Sequence, residues 1–214
     1  MIYSDIEFDI AKEIINVGLG KAADSVAFFT HDKVIIRGLD FKVEDLENIN
    51  NVSNKNENET LYVLSTEILG ELKGICYLIF SESEVNKLLK VCLPESIRNN
   101  QANLKEMGEA ILLEMDNIIV ASVITQFSNF FKYKMHGDIP QLSITISKGF
   151  EQIVCSANRC GNYLLYFKSE FFTSGLNITP EFIWLLDNKY FEGVKNLAQD
   201  EKLIAQLKTL NGQF

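Results

Sequence analysis

Between residues 6 and 29 the apolar positions follow the helical period. Ile10, Ile14 and Val17 line one flank, and Ala11, Ile15, Ala22 and Val26 line the next, which predicts an amphipathic helix. Strand signals follow: Lys33 to Val43 carries the β-branched run Val34, Ile35 and Ile36. Leu61 to Leu69 and Leu72 to Phe80 read as two more strands, with Gly70 and Glu71 marking a tight hairpin between them. A shorter helix, Glu82 to Val91, stops short of Pro94, whose ring disfavours helical backbone in the residue before it.

The order then restarts. A long helix is predicted from about Gln101 to Phe131, followed by strands at Leu142 to Ser147, near Ile153, and at Asn162 to Phe167, with Gly161 at the matching hairpin. A helix opening near Thr179, with Thr179 as N-cap and Pro180 in the first turn, completes this second unit. Val194 to Leu210 predicts one more helix, with Leu197, Leu203, Leu207 and Leu210 on its apolar side, while the Asn- and Glu-rich stretch Asn48 to Thr60 reads as a loop. The pattern helix, three strands, helix thus occurs twice, at about 5–95 and 101–193. Duplication of a unit whose strands need covering predicts one α/β (α+β) domain over residues 1–214 with an internal pseudo-twofold. Its strands would merge into one largely antiparallel sheet, with the two long helices on one face.

Composition narrows the partners. A chain of 214 residues with 47% hydrophobic content can bury a full core. Its net charge of -9, without any Lys/Arg cluster, argues against a nucleic acid or an anionic membrane as main ligand and points to a protein surface. The acidic start, Met1 to Asp9, is the reverse of a secretory signal, so a cytoplasmic location is expected, and the sequons at Asn51, Asn58 and Asn177 are then accidental. No membrane insertion is expected of Ala110 to Phe131, because Glu114, Asp116 and Asn117 interrupt it. Cys76, Cys92, Cys155 and Cys160 lack zinc or redox spacing and read as buried free thiols.

Setting the two long helices in register at an offset of 101 residues places Glu13 on Glu114, Asn16 on Asn117, Gly20 on Ala121 and Phe29 on Phe130. At about 100° per residue, Asp9, Glu13, Asn16 and Gly20 fall on one narrow stripe, and Ala110, Glu114, Asn117 and Ala121 on its counterpart. Small residues bracketing a carboxylate and a carboxamide fit a surface open to close approach. Two ordinary polar helix faces fit as well, and the same short spacing recurs at Glu47 and Asn50. Recurrence at equivalent positions of a repeat favours the first reading.

These residues carry a resemblance. The segment Glu13-Ile-Ile-Asn-Val-Gly-Leu-Gly-Lys-Ala-Ala23 resembles the Glu-Ile-Gly-Asn-Ile-Gly-x-Gly-x-Ala-Ala segment of the CheC/CheX/FliY chemotaxis phosphatases, and the two-site arrangement is most like CheC. That family's motif runs Asp or Ser, three residues, Glu, two residues, Asn, then twenty-two residues and Pro. Asp9, Glu13 and Asn16 match, but Leu39 stands at the proline position; Glu114, Asn117 and Pro140 match, but Ala110 replaces the leading residue. The resemblance covers roughly residues 5 to 175 in element order.

It implies hydrolysis of the aspartyl phosphate of a CheY-like response regulator. Asn16 and Asn117 would orient the attacking water, and Glu13 and Glu114 would contact the partner's active-site Lys. Mg²⁺ would belong to the partner, with no cofactor or metal of the chain's own. A carboxamide suits the task, since it accepts from water through its oxygen while donating through its nitrogen. Asp9 is either a partner contact or first-turn charge at a helix N-terminus, and Pro140 either shapes the second site or is an ordinary turn proline. Gly20 is expected to give clearance to a partner, as would Ala110 and Ala121, and Gly18 to pack on the sheet. His31 and His136 read as loop-edge residues. The resemblance equally allows a non-catalytic adaptor that binds a response regulator, the flagellar switch or a CheD-type deamidase. An acidic ligand-sensing module is a third possibility, for which the sequence shows no pocket signature.

Overall fold

The computed structural model describes residues 3–46, 58–156 and 163–202. In chain order the elements are α1 (Asp5–Thr30), β1 (Ile35–Asp45), β2 (Thr60–Gly70), β3 (Gly74–Ser81), α2 (Glu82–Cys92), α3 (Glu95–Arg98), α4 (Gln101–Phe131), β4 (Met135–Gly137), β5 (Gln141–Ile146), α5 (Ser147–Ser156), β6 (Tyr163–Phe172), β7 (Asn177–Ile178), β8 (Glu181–Leu186) and α6 (Asn188–Leu197). Local chemistry sets the helix starts. The Ser4 hydroxyl accepts from the Glu7 amide while the Glu7 carboxylate accepts from the Ser4 amide, and Ser81 with Glu84 repeats this reciprocal cap ahead of α2. The Asn100 side chain accepts from the amides of Ala102 and Asn103 to start α4.

The strands form an eight-stranded antiparallel sheet in the order β1-β6-β8-β3-β2, with β4 and β5 both along the outer side of β2 and β7 on β6. Outward from the central β3/β8 pair run β2 then β5 on one side, and β6 then β1 on the other, so the order is twofold symmetric. Each half lends its first strand to the other: β1 pairs with β6 of the second half, and β5 pairs with β2 of the first.

Helices α1 and α4 pack on each other over one face of this sheet, where Ile14, Leu19, Ile119 and Phe127 meet Leu78, Phe167 and Trp184 in the main core. By length and composition α4 is the one described helix apolar enough to cross a membrane. Its residues Leu112, Met115, Ile119, Val123 and Phe127 are instead spent on this core. A smaller core covers the other face, where Phe150 and Val154 of α5 pack on Tyr77, Tyr166, Ile183 and Leu185.

The expected α+β class, antiparallel sheet and two long helices on one face are all present, but the second half distributes its strands differently from the expectation. The run near Ile153 is helical, because Phe150, Ile153 and Val154, at i, i+3 and i+4, all pack on one cluster, a spacing that one face of a helix provides and a strand does not. Thr179-Pro180 precedes strand β8 rather than a helix. Its six residues, Glu181 to Leu186, are all buried because the strand is central and covered on both faces, so the alternation that marks a half-exposed strand is missing. The closing helix of this half is α6, capped by Asp187, and it ends at Leu197. Val194 therefore lies inside α6 rather than opening a further helix; the remainder of that expected helix, from residue 203, lies outside the described residues, as do Glu47, Asn50, Cys160 and the hairpin at Gly161. The repeat survives as α1-β1-β2-β3-α2 against α4-β5-β6-β8-α6, with α3, β4, α5 and β7 outside the matched series.

Candidate functional site

Both Glu/Asn pairs stand on the outer side of their helices. Asn16, Glu114 and Asn117 are exposed and Glu13 is half-buried, while their neighbours Ile14, Ile15, Met115 and Asp116 point into the core. The Asn16 side-chain amide donates to the Glu13 carboxylate at 3.4 Å, a contact that turns the Asn16 amide nitrogen toward Glu13 and leaves its oxygen free to accept. Asp9, Gly20, Ala110 and Ala121 are exposed on the same stripes. Because α1 begins at Asp5, Asp9 stands in the second turn, and the first-turn charges are Asp5 and Glu7.

A side chain at Gly20 would meet nothing within 4 Å, so the backbone there is open to an approaching surface. Gly18 behaves differently. A Cβ at this position would lie 2.9 Å from both the Cα and a γ-methyl of Val123, so its role is to let α1 and α4 approach closely, and it packs on α4 rather than on the sheet.

The second pair has a wall formed by the first strand of its own half. That strand is broken. β4 ends at Gly137, β5 resumes at Gln141, and Pro140 is half-buried at the break. In the first half β1 runs through the matching position with a bulge between Arg37 and Leu39, and Gly38 takes a left-handed φ of 55°. The buried Ser169 hydroxyl donates to the carbonyls of Arg37 and Gly38 at 3.2 and 2.9 Å and fixes that bulge. The two halves thus deform their edge strands at the same place by different means, a proline-ended break in one and a glycine bulge in the other. The absence of proline at Leu39 is matched by a local substitute.

Around Glu114 and Asn117 the break opens a cleft of about 490 Å³, floored and walled by Ala110, Leu113, Gly137, Asp138, Ile139 and Pro140. Of these, Leu113, Gly137, Asp138 and Ile139 were not among the expected site residues. Leu113 could have been found from its place beside Glu114 on α4, whereas Gly137, Asp138 and Ile139 reach the cleft through the pairing of β4 and β5 with β2. Among the described residues no three His, Cys, Asp or Glu side chains gather as a metal ligand set.

Beneath the second pair lies Asp116, fully buried, whose carboxylate accepts from the Thr66 hydroxyl of β2 at 2.5 Å. Its other oxygen has no hydrogen-bond partner. Burial lifts its pKa to about 7, with the Thr66 bond pulling the other way. Cys76 is buried, and burial with Asp116 nearby pushes its thiol well up; Cys92 is half-buried and raised to about 11 by burial. Both described thiols are therefore protonated and unreactive at neutral pH. His31 caps α1 in the left-handed region, and His136 lies exposed within β4 rather than at a loop edge.

No family model matches the sequence. Solved structures do match the fold. FliY of Thermotoga maritima superposes with a TM-score of 0.68 at 15% identity, over 94% of this chain and 100% of that one. The FliM middle domain of Vibrio alginolyticus gives 0.52 at 10% identity, over 86% and 99%. The CheX–CheY–BeF3–Mg²⁺ complex of Borrelia burgdorferi gives 0.50 at 12% identity, over 82% and 99%. With its doubled helix-and-strand unit, shared antiparallel sheet and paired long helices, this chain has the CheC/CheX/FliY fold.

Proposed function

We propose that the protein is a phosphatase acting on the aspartyl phosphate of a CheY-like response regulator, in the cytoplasm, within chemotaxis or two-component signalling. The observation that carries this reading is the outward placement of two equivalent Glu/Asn pairs, on a fold that FliY and CheX share. In the Borrelia burgdorferi structure a CheX is in complex with CheY, BeF3 and Mg²⁺.

An aspartyl phosphate is an activated acyl phosphate, so what its hydrolysis lacks is an in-line water rather than a strong base. Asn16 or Asn117, inserted beside the phosphoryl group, accepts a hydrogen bond from that water and holds it opposite the leaving oxygen. The water oxygen bonds to phosphorus, the bond from phosphorus to the aspartyl oxygen breaks, the regulator's carboxylate leaves, and the water's proton passes to the released phosphate. Glu13 or Glu114 pairs with a Lys in the regulator and fixes the insertion. The metal in this scheme is the regulator's Mg²⁺.

Loss of phosphate from a phosphorylated CheY-type regulator tests the reading. Asn16→Ala and Asn117→Ala should each slow turnover, and the double variant should lose about 10²-fold or more, the scale on which a misplaced nucleophile costs rate. Undiminished turnover in the double variant rules the phosphatase out. The second reading is an adaptor that binds a regulator, the flagellar switch or a CheD-type deamidase without hydrolysis. The likeness to the FliM middle domain, and to the Helicobacter pylori FliG–FliM complex at a TM-score of 0.51, is what favours it. Phosphate-independent capture of such a partner, with no hydrolysis, selects it.

A further inference from the structure

The two Glu/Asn pairs are nearly alike, but their surroundings are not. Besides Glu114 and Asn117, the second cleft is lined by Ala110, Leu113, Gly137, Asp138, Ile139 and Pro140, whose counterparts at the 101-residue offset are Asp9, Lys12, Ile36, Arg37, Gly38 and Leu39. Apart from Asp138, whose carboxylate accepts from the Ile139 N–H, the second lining is apolar, whereas the first set carries three charges, Asp9, Lys12 and Arg37. Ile139 is the extreme case. It is 81% exposed at the lip of the cleft, whereas a side chain at Gly38 would have nothing within 4 Å. Single exposed isoleucines are common on proteins. The backbone that carries this one is held in place, since the Ile139 N–H donates to the Asp138 carboxylate at 2.8 Å and the Asp138 N–H donates to the Glu67 carbonyl at 2.8 Å. An apolar side chain on a fixed backbone beside a cleft can be covered by a partner without ordering the loop that carries it, as docking anchors are.

We infer that the second site is the docking site of this protein, with Ile139 as the apolar anchor that seats a phosphorylated receiver domain over Glu114 and Asn117. The inference rests on the phosphatase reading and adds to it. The occupant is a receiver with an apolar patch beside its phosphoryl-aspartate pocket, because the lining offers apolar surface while Glu114 and Asn117 supply the polar contacts within the same cleft. The first pair, with Asp9 and Lys12 at its rim and no anchor at Gly38, engages the same partner more weakly and contributes mainly when the receiver is abundant.

The full-length protein and its variants are titrated with a CheY-type receiver domain loaded with beryllofluoride and Mg²⁺, and turnover of the phosphorylated receiver is followed at concentrations far below saturation. Ile139→Ser should weaken binding about fivefold or more, the usual effect of removing an interface anchor. Phe28→Ser, at a residue 80% exposed on α1, should bind as the parent does. At limiting receiver, Asn117→Ala should lose most of the turnover and Asn16→Ala little. Unaltered binding by Ile139→Ser, an equal loss on Phe28→Ser, or equal losses from the two Asn variants overturns the docking assignment while leaving the phosphatase reading intact. A parent protein that neither binds nor hydrolyses the receiver overturns both.

Discussion

Asp116 separates Glu114 from Asn117 in sequence, yet it faces the opposite way, into the core above Thr66, with one carboxylate oxygen unpartnered. Its register equivalent in the first helix is Ile15, a fully buried apolar residue. The neutral acid is the form this site favours, so the fold binds a proton that the unfolded chain releases above its ordinary pKa of 3.8. The group's contribution is thus fully present below pH 3.8 and is lost as the pH rises toward about 7, beyond which its cost is constant. A shift of this size corresponds to on the order of 4 kcal/mol. Asp116→Asn keeps an acceptor for Thr66 and has no charge to bury. Urea denaturation should therefore show the variant gaining stability relative to the parent between pH 4.5 and pH 8, and a constant difference across that range would show that Asp116 stays ionised in the fold. The sequence does place Asp116 on the row of Leu112, Ile119 and Val123, one apolar side of α4, but read only as an interruption of an apolar run it gave no hint of a buried acid.

At the scale of elements, the long helices are held by their mutual packing, and the two glycines of α1 play opposite parts in it. Gly18→Leu forces a side chain into Val123 and should destabilise the protein by about 1–3 kcal/mol, the range for overpacked cores. Gly20→Ala adds a methyl to open space within a helix and should stabilise it by about 1 kcal/mol. Chemical denaturation midpoints moving in opposite directions check both. The helices were the most legible elements because their apolar rows run over many turns, and α4 spans Gln101–Phe131 as its pattern predicts. Legibility failed where periods are short or absent. Buried on both faces, β8 shows no alternation, and α5, with Ile153 and Val154 adjacent, resembles a strand until Phe150 is counted with both of them. The Glu/Asn pairs were readable as residues on a stripe. The cleft around the second of them was not, since Asp138 and Ile139 come to it through the pairing of β4 and β5 with β2, which no local pattern encodes.

For the whole molecule, the exchange of outer strands governs how it can be taken apart. Residues 1–100 alone would keep β2 and β3 paired but leave β1 without β6, and residues 101–214 would leave β5 without β2. Expressed separately, the two halves should lack cooperative unfolding, and mixed together they should recover it; circular dichroism melts of each half and of the mixture measure this. A half that melts cooperatively by itself would show that the shared sheet is not needed for folding.

The exchange also bears on how this protein could change over generations. The wall beside Glu114 and Asn117 hangs on β2 from the other half, and the bulge of β1, in the half that bears Glu13 and Asn16, is pinned by Ser169 of β6. A lineage that loses one acid–amide pair cannot discard the half that bore it, because that half still braces the surviving pair. Substitutions erasing a retired pair should accumulate while its strands are kept, and the descendant of a two-site ancestor remains a full-length chain with a single working side.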